Sequence, residues 1–220
     1  MTRIYLSHFL SDETPGFGGN KIFHCDESSS IKKGKSSNSV HLHFINHSST
    51  HIDLPRHFDD KGKTLSDYPA DFWFFKKCHL IEYTAKESEI IDIESLDFSK
   101  MPRDVEFLII KTGFEKKRQE KVFWNDNPGF SPKLGHYLRD NYPSLKAIGF
   151  DSISLTAFQN RELGREAHRA FLCAYKDKNT ILIIEDMHLI ELHKSPATVM
   201  AGPLMLKEAD GVPITLIAEL

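Results

Sequence analysis

Four residues with metal-binding side chains, His47, His51, Asp53 and His57, fall within the single stretch HSSTHIDLPRH. All four positions are odd. Side chains alternate between the two faces of an extended strand, so this spacing predicts that the four share one face and one pocket. Imidazole nitrogen and carboxylate oxygen are the donors that zinc or manganese accepts in an open catalytic site. Neutral histidine and ionised aspartate need no unusual protonation near pH 7, so such a site loads under ordinary conditions. A lone histidine among serines hydrogen-bonds at a surface without any metal. Three of them beside an aspartate would leave polar groups competing in a partly dry site unless a cation joined them. The helical zinc-protease arrangement does not apply, because it needs a glutamate directly after its first histidine and Ser48 stands there.

The surrounding sequence favours strands. Val40 to Leu54, VHLHFINHSSTHIDL, mixes β-branched, aromatic and histidine residues with no helical apolar stripe and runs into Pro55, which reads as extended chain. HLIEYTAK, EFLIIKTGF, AIGFDSISL and TILIIEDMHLI are further apolar runs of strand length, and AGPLMLKEADGVPITLIAEL holds two strand-like pieces around a Gly-Val-Pro turn. IYLSHFL leads into the Gly/Pro loop SDETPGFGGN, and the polar DESSSIKKGKSSNS reads as a flexible connection or hairpin tip. A helix is predicted from Pro132 to Tyr142, capped by Ser131, with Pro132 at the first helical position. DFWFFKK, with Trp73 and three phenylalanines, reads as core or subunit interface. No repeat or linker divides the chain, so one mixed α/β domain over residues 1–220, dominated by strands, is expected.

Composition narrows the function classes. With 220 residues and 40% hydrophobic content the chain can build a substantial core. Its formal charge of −3 provides no field toward nucleic acid or anionic lipid, which favours small-molecule work. Three scattered cysteines suggest neither a disulfide framework nor a thiolate zinc site, and no apolar run approaches the ~20 residues of a membrane helix. A soluble, cytoplasmic protein is expected. A serine-hydrolase route lacks its Gly-x-Ser-x-Gly elbow.

The histidine stretch resembles the hallmark of the cyclase-like metal hydrolases, the family of bacterial kynurenine formamidase and isatin hydrolase. Their pattern is His-x-Gly-Thr-His-x-Asp-x-Pro-x-His; here it reads His47-Ser-Ser-Thr50-His51-Ile-Asp53-Leu-Pro55-Arg-His57, with Ser49 in place of the glycine. TPGFGG, HFDDKGKTLSDYP, KTGF, IGFDSISL, HRAFL, ILIIEDMHL and AGPLMLKEADGVPI are similar to further family segments across most of the chain.

The resemblance implies a swivelling β/β/α fold, a homodimer or homotetramer, and one or two divalent ions, zinc foremost, with manganese as the alternative. It makes His47, His51 and Asp53 ligands, His57 the acid/base, and His168 and Glu185 candidates for a second ion that shares Asp53. Taken alone, His168 reads as a surface helix histidine, and Glu185 as a strand-end acid reaching water. An acid embedded in ILIIEDM is otherwise costly to bury unless paired or metal-bound. The interval RAFLCAYKDKNTILII is longer than in typical members, with the excess around Lys176-Asp177-Lys178-Asn179 reading as a turn. Phe17 stands where the family places a substrate-touching aromatic; it reads equally as a hydrophobic loop anchor.

The implied activity is hydrolysis of an amide, cyclic amide or lactone-type bond of a small molecule, aromatic ones included, by metal-activated water, similar to an arylformamidase. The alternatives are a metal-dependent cyclase or lyase, or a non-catalytic metal-binding protein on the same fold. Ser49, Gly18 and Asn20 depart from the common pattern, so the resemblance selects no particular substrate.

Overall fold

The longest apolar runs of the sequence become the buried middle of one sheet. The computed structural model describes residues 2–220. Its strands are β1 (Arg3–Tyr5), β2 (Phe23–Ser29), β3 (Ser39–Phe44), β4 (His51–Asp53), β5 (Phe74–Phe75), β6 (Cys78–Glu82) and β7 (Ile90–Ile91), then β8 (Phe107–Lys111), β9 (Gly129–Phe130), β10 (Ala147–Phe150), β11 (Leu182–Glu185), β12 (Thr198–Pro203) and β13 (Gly211–Glu219). The α-helices are α1 (Lys121–Asn125), α2 (Pro132–Asn141) and α3 (Arg161–Leu172).

The main sheet runs β5-β12-β13-β4-β11-β10-β8-β6, with β1 added beside β13. Strands β6, β8, β10 and β11 are parallel, and β4 lies antiparallel between β11 and β13. The sequences FLIIK, AIGF and LIIE are buried almost throughout, because parallel strands covered on both faces carry unbroken apolar runs. β13 instead alternates: Val212, Ile214, Leu216 and Ala218 are buried, whereas Thr215 between them is exposed.

DESSSIKKGKSSNS contributes to the tip of the antiparallel β2–β3 hairpin, as its turn chemistry predicts. Trp73 and Phe75 of DFWFFKK are buried, which makes that run mainly core, although Phe74 is half-exposed. No helix among the described residues is long and apolar enough to cross a membrane.

Helix α2 starts as predicted, with the Ser131 Oγ accepting from the Leu134 N–H at 3.2 Å and Pro132 in the first turn. Helix α3 is an element the sequence reading did not set out. Its residues Gly164, Ala167, His168, Phe171 and Leu172 form a buried stripe at helical spacing, packed against α2 and β11. Gly164 lets the helix also close on the segment that follows β10: a Cβ there would collide with the Thr156 side chain. Beyond α3 the chain turns at Lys176, whose φ is 49°, and re-enters the sheet, so the long interval before β11 is taken up in a turn as expected.

Arg139 fixes that turn from below. It is 2% exposed, and its guanidinium donates to the carbonyls of Ala170 (2.9 Å), Cys173 (2.8 Å) and Lys178 (3.0 Å). These include carbonyls that a helix C-terminus leaves without intrahelical partners. Hydrogen bonds from a charged donor are worth more than neutral ones, and buried orphan carbonyls cost about 1–3 kcal/mol each. Arg139→Met is therefore expected to lower unfolding free energy by about 3 kcal/mol in urea titrations. A loss below about 1 kcal/mol would show that the turn holds itself.

Candidate metal centre

The short strand β4 carries His51 and Asp53 on one face, as alternation predicts, and both are buried. Register does the rest. On one side Glu185 of β11 lies opposite His51; on the other Gly211 of β13 lies opposite Asp53, which puts Asp210 at the strand entrance.

His47 and His57 are not on the strand, contrary to the one-face expectation. Ser49 adopts a left-handed backbone with φ of 56°, which turns the chain between His47 and His51. Pro55 then opens a 3-10 turn that ends at His57. The four side chains still meet, because the two turns fold back over β4. Packing around His47 is tight: a Cβ on Gly211 would overlap its ring.

His168 comes down from α3. It is 4% exposed, which replaces the surface-histidine reading with a buried one, and Glu185 is likewise buried rather than reaching water. The His168 Nε2 stands 3.6 Å from Asp53 Oδ2 and 3.5 Å from Glu185 Oε1. The His51 Nε2 stands 3.4 Å from Asp53 Oδ1 and 3.3 Å from Glu185 Oε2. Both rings use Nδ1 on a backbone carbonyl, Ser49 for His51 and Gly164 for His168, each at 2.8 Å. With Nδ1 anchored in this way, loss of the Nε2 proton on ion binding would leave the Nε2 lone pair of each ring directed to the centre.

Two donor sets of ion-binding size share Asp53: His47, Asp53 and His57, and His51, Asp53 and Glu185, with the donor atoms of each set within 4.8 Å of one another. His168 and Glu185 thus converge on Asp53. The set fits a divalent cation in the chemistry of its donors and in their second-sphere anchoring.

The electrostatics agree. Burial by itself would depress the imidazoles and raise the acids. The Asp53 carboxylate and the hydrogen bonds that the His47 ring donates to Asp210 and Asp53 instead lift His47 to about 9, and Asp53 and Glu185 lift His168 to about 10. His51 is raised well above its usual value by the same two acids. Glu185, despite burial and the nearby Asp53, is held at about 2 by His168 and His51, and Asp53 falls well below the usual carboxylate range. Protons on the imidazoles here do the charge balancing that a dication would do.

His57 differs. Burial and the neighbouring His47 push its pKa down, its Nδ1 is 3.0 Å from Asp210 Oδ2, and its side chain is 30% exposed. Asp210 also meets His47 Nε2 at 3.0 Å and accepts from the Asn46 side chain at 2.7 Å. Sequence reasoning missed it, because Asp-Gly before a strand reads as a turn.

The four histidines, Asp53 and Glu185 line a cavity of about 320 Å³, walled by Phe17, Ile22, Phe58 and Ile153, with Arg161 and Arg165 also lining it. Phe17 packs edge-on against Phe158, with ring centres 5.2 Å apart, so it is at once loop anchor and cavity wall. Behind the centre, Arg118 pairs with buried Asp186 through two contacts of 2.8 and 2.7 Å and reaches Ser49 Oγ at 3.2 Å. His8, Glu115 and His188 form a separate cluster there. Glu115 already accepts from the Leu189 N–H at 2.7 Å and is hydrogen-bonded to His188, and the Arg118 charge bears on His8, so this cluster reads as a brace.

Residues 4–157 match the family described as "Putative cyclase". An uncharacterized protein of Haemophilus influenzae is 36% identical over 107 residues, covering 47% of this chain and 75% of that one. A kynurenine formamidase of Bacillus anthracis is 27% identical over 212 residues, covering 93% and 88% respectively. In fold, the chain is similar to isatin hydrolase A from Labrenzia aggregata, solved with benzyl benzoate bound: the TM-score is 0.81 at 20% identity, over 99% of this chain and 93% of that one. The family match spans most of the sequence and includes the whole histidine stretch, and on that ground the chain belongs to the cyclase family.

Proposed function

We propose that the chain is a metal-dependent hydrolase that opens an amide, cyclic amide or lactone-type bond of a small molecule, in the manner of an arylformamidase. The observation that carries the reading is the convergence of His47, His51, Asp53, His168 and Glu185 in a single cavity, with partly exposed His57 beside them. The kynurenine formamidase and isatin hydrolase similarities support it.

By the family resemblance His47, His51 and Asp53 would hold one ion, with His168 and Glu185 completing a second position around Asp53; His51 lies within reach of Asp53 and Glu185 alike. A divalent cation held by these residues, zinc foremost and manganese as alternative, would supply Lewis-acid polarisation of a carbonyl and activation of water near neutral pH. His57 serves as the proton carrier. Its lowered pKa leaves it neutral at pH 7, and Asp210 on Nδ1 fixes the tautomer whose Nε2 accepts a proton. Returning that proton to the leaving nitrogen or oxygen completes the cycle. Phe17, Phe58 and Ile153 supply apolar walls suited to an aromatic ring. The presence of a positioned proton carrier favours turnover over mere metal binding.

The test is a panel of formanilide, isatin and aryl lactones, assayed with metal-stripped protein and with protein reloaded with zinc or manganese. Metal-dependent product carrying one oxygen from labelled water is expected; no turnover of any panel member would sink the proposal.

Asp53→Ala is expected to lose bound metal by elemental analysis. His57→Ala should retain it while kcat falls about 10²- to 10⁴-fold. Undiminished kcat in the second variant would remove His57 from the mechanism.

A pH signature follows from the same groups. His47 and His168 are raised from 6.5 to about 9 and about 10, so the stability they contribute without metal is complete below 6.5 and is lost as pH rises through those values. Glu185 is lowered from 4.5 to about 2, so its contribution is present above 4.5 and is lost as pH falls toward 2. Metal-free protein should therefore melt at progressively lower temperature from about pH 6.5 to about pH 10, and added metal should flatten that decline. Parallel declines with and without metal would count against these histidines as ligands.

A further inference from the structure

Helix α3 does more than deliver His168. Arg161, Arg165 and His168 stand at positions i, i+4 and i+7, a spacing that places them on one side of the helix. All three line the same cavity. His168 is buried among the acids of the floor, whereas Arg161 and Arg165 are exposed, which puts them at the mouth. Helix rise separates their Cα positions from that of His168 by about 10 Å and about 5 Å.

Neither guanidinium has a hydrogen-bond or ion-pair partner among the described residues. This sets them apart from Arg118, the arginine behind the centre, which is spent on Asp186. Arg161 is nevertheless held in place: its Cζ lies 4.1 Å from the centre of the Phe158 ring and 5.8 Å from that of Phe17. Stacking on aromatic faces orients a guanidinium and leaves its N–H edge free for a planar anion. The N-terminal end of α3, where Arg161 sits, adds the positive pole of the helix dipole. Phe17, whose ring centre lies 5.8 Å from the Arg161 Cζ, and Phe58, stacked on the His168 ring with centres 4.7 Å apart, line the same cavity.

We infer that Arg161 and Arg165 form a carboxylate-binding subsite, and that the substrates are aryl amides, esters or lactones carrying a carboxylate about one ring's length from the scissile carbonyl. The inference rests on the hydrolase reading for which end reacts. The subsite itself stands on the arginine pair and its unpartnered N–H donors. Arginine recognises carboxylate through paired N–H donors, and the wall rings take the apolar spacer.

Two measurements on metal-loaded protein separate the subsite from the chemistry. In the first, 4-formamidobenzoate is compared with its neutral counterpart 4-formamidobenzamide. The carboxylate is expected to raise kcat/KM about tenfold or more, chiefly through KM, with the advantage shrinking as salt increases. The double variant Arg161→Met, Arg165→Met should bring the ratio to about one. In the second, the Kd of terephthalate is compared with that of benzoate by calorimetry. One carboxylate of either compound can occupy the metal centre, but only terephthalate has another for the arginines, so it should bind about tenfold tighter, and the double variant should erase the difference.

Tighter terephthalate binding without turnover of either formamide would confirm the subsite and count against the formamidase chemistry alone. Equal binding of the two carboxylates, or an undiminished difference in the double variant, would overturn the subsite. Both arginines are exposed, and thermal melting together with the single variant Arg165→Met, expected to lose part of the preference, guards against a folding defect.

Discussion

Two acids on adjacent strands, Asp53 and Glu185, are 1% and 4% exposed, and everything near them is arranged to make that tolerable. Unscreened like charges in a low-dielectric interior repel strongly, and each also loses its hydration. Only cationic or proton-bearing partners can offset this. His51 reaches both acids from within β4, His168 reaches both from α3, and His47 closes on Asp53 from the preceding loop, at 2.7 Å. The sheet order follows from the same need: β4 must lie between β11 and β13 for the acid of one neighbour and the Asp-Gly entrance of the other to flank it.

The backbone around the centre is correspondingly constrained. Ser49 occupies the left-handed region at the position where the family pattern has glycine. A side chain there is strained, yet it is held on both sides: the Ser49 carbonyl takes the His51 Nδ1 and its hydroxyl lies 3.2 Å from Arg118. Arg118 in turn grips Asp186, also left-handed with φ of 51°, whose carbonyl accepts from the Thr50 hydroxyl. Two strained residues on different strand ends therefore lean on one another through a single arginine, which keeps the histidine turn from relaxing.

Much of this was legible in the sequence, and the remainder was hidden for identifiable reasons. The parallel core strands announced themselves as unbroken apolar runs, and the start of α2 as a Ser-Pro cap. The histidine stretch was legible as a cluster, but its geometry was not: alternation holds only for His51 and Asp53, because a left-handed serine and a proline interrupt the strand on either side. Helix α3 was obscured by charged residues dispersed among the small ones of RELGREAHRAFL, so His168 looked solvent-facing until packing against α2 and β11 buried it. Asp210 reads locally as a turn residue, and the i, i+4, i+7 spacing of Arg161, Arg165 and His168 reads locally as the solvated side of a helix. Their significance arises from strand pairing and helix placement, which bring distant segments together.

The turn that Arg139 secures after α3 has a consequence for how sites of this kind vary. It clamps the end of the helix and the start of the return path to one side chain, leaving the residues around Lys176 outside the clamp. Chain length between His168 and Glu185 is thereby uncoupled from the distance between them. A longer turn there would leave both side chains where they are, because the entropy cost of a longer surface loop grows only slowly with its length. The interval between these two residues along the chain is therefore a poor measure of how far apart their side chains stand.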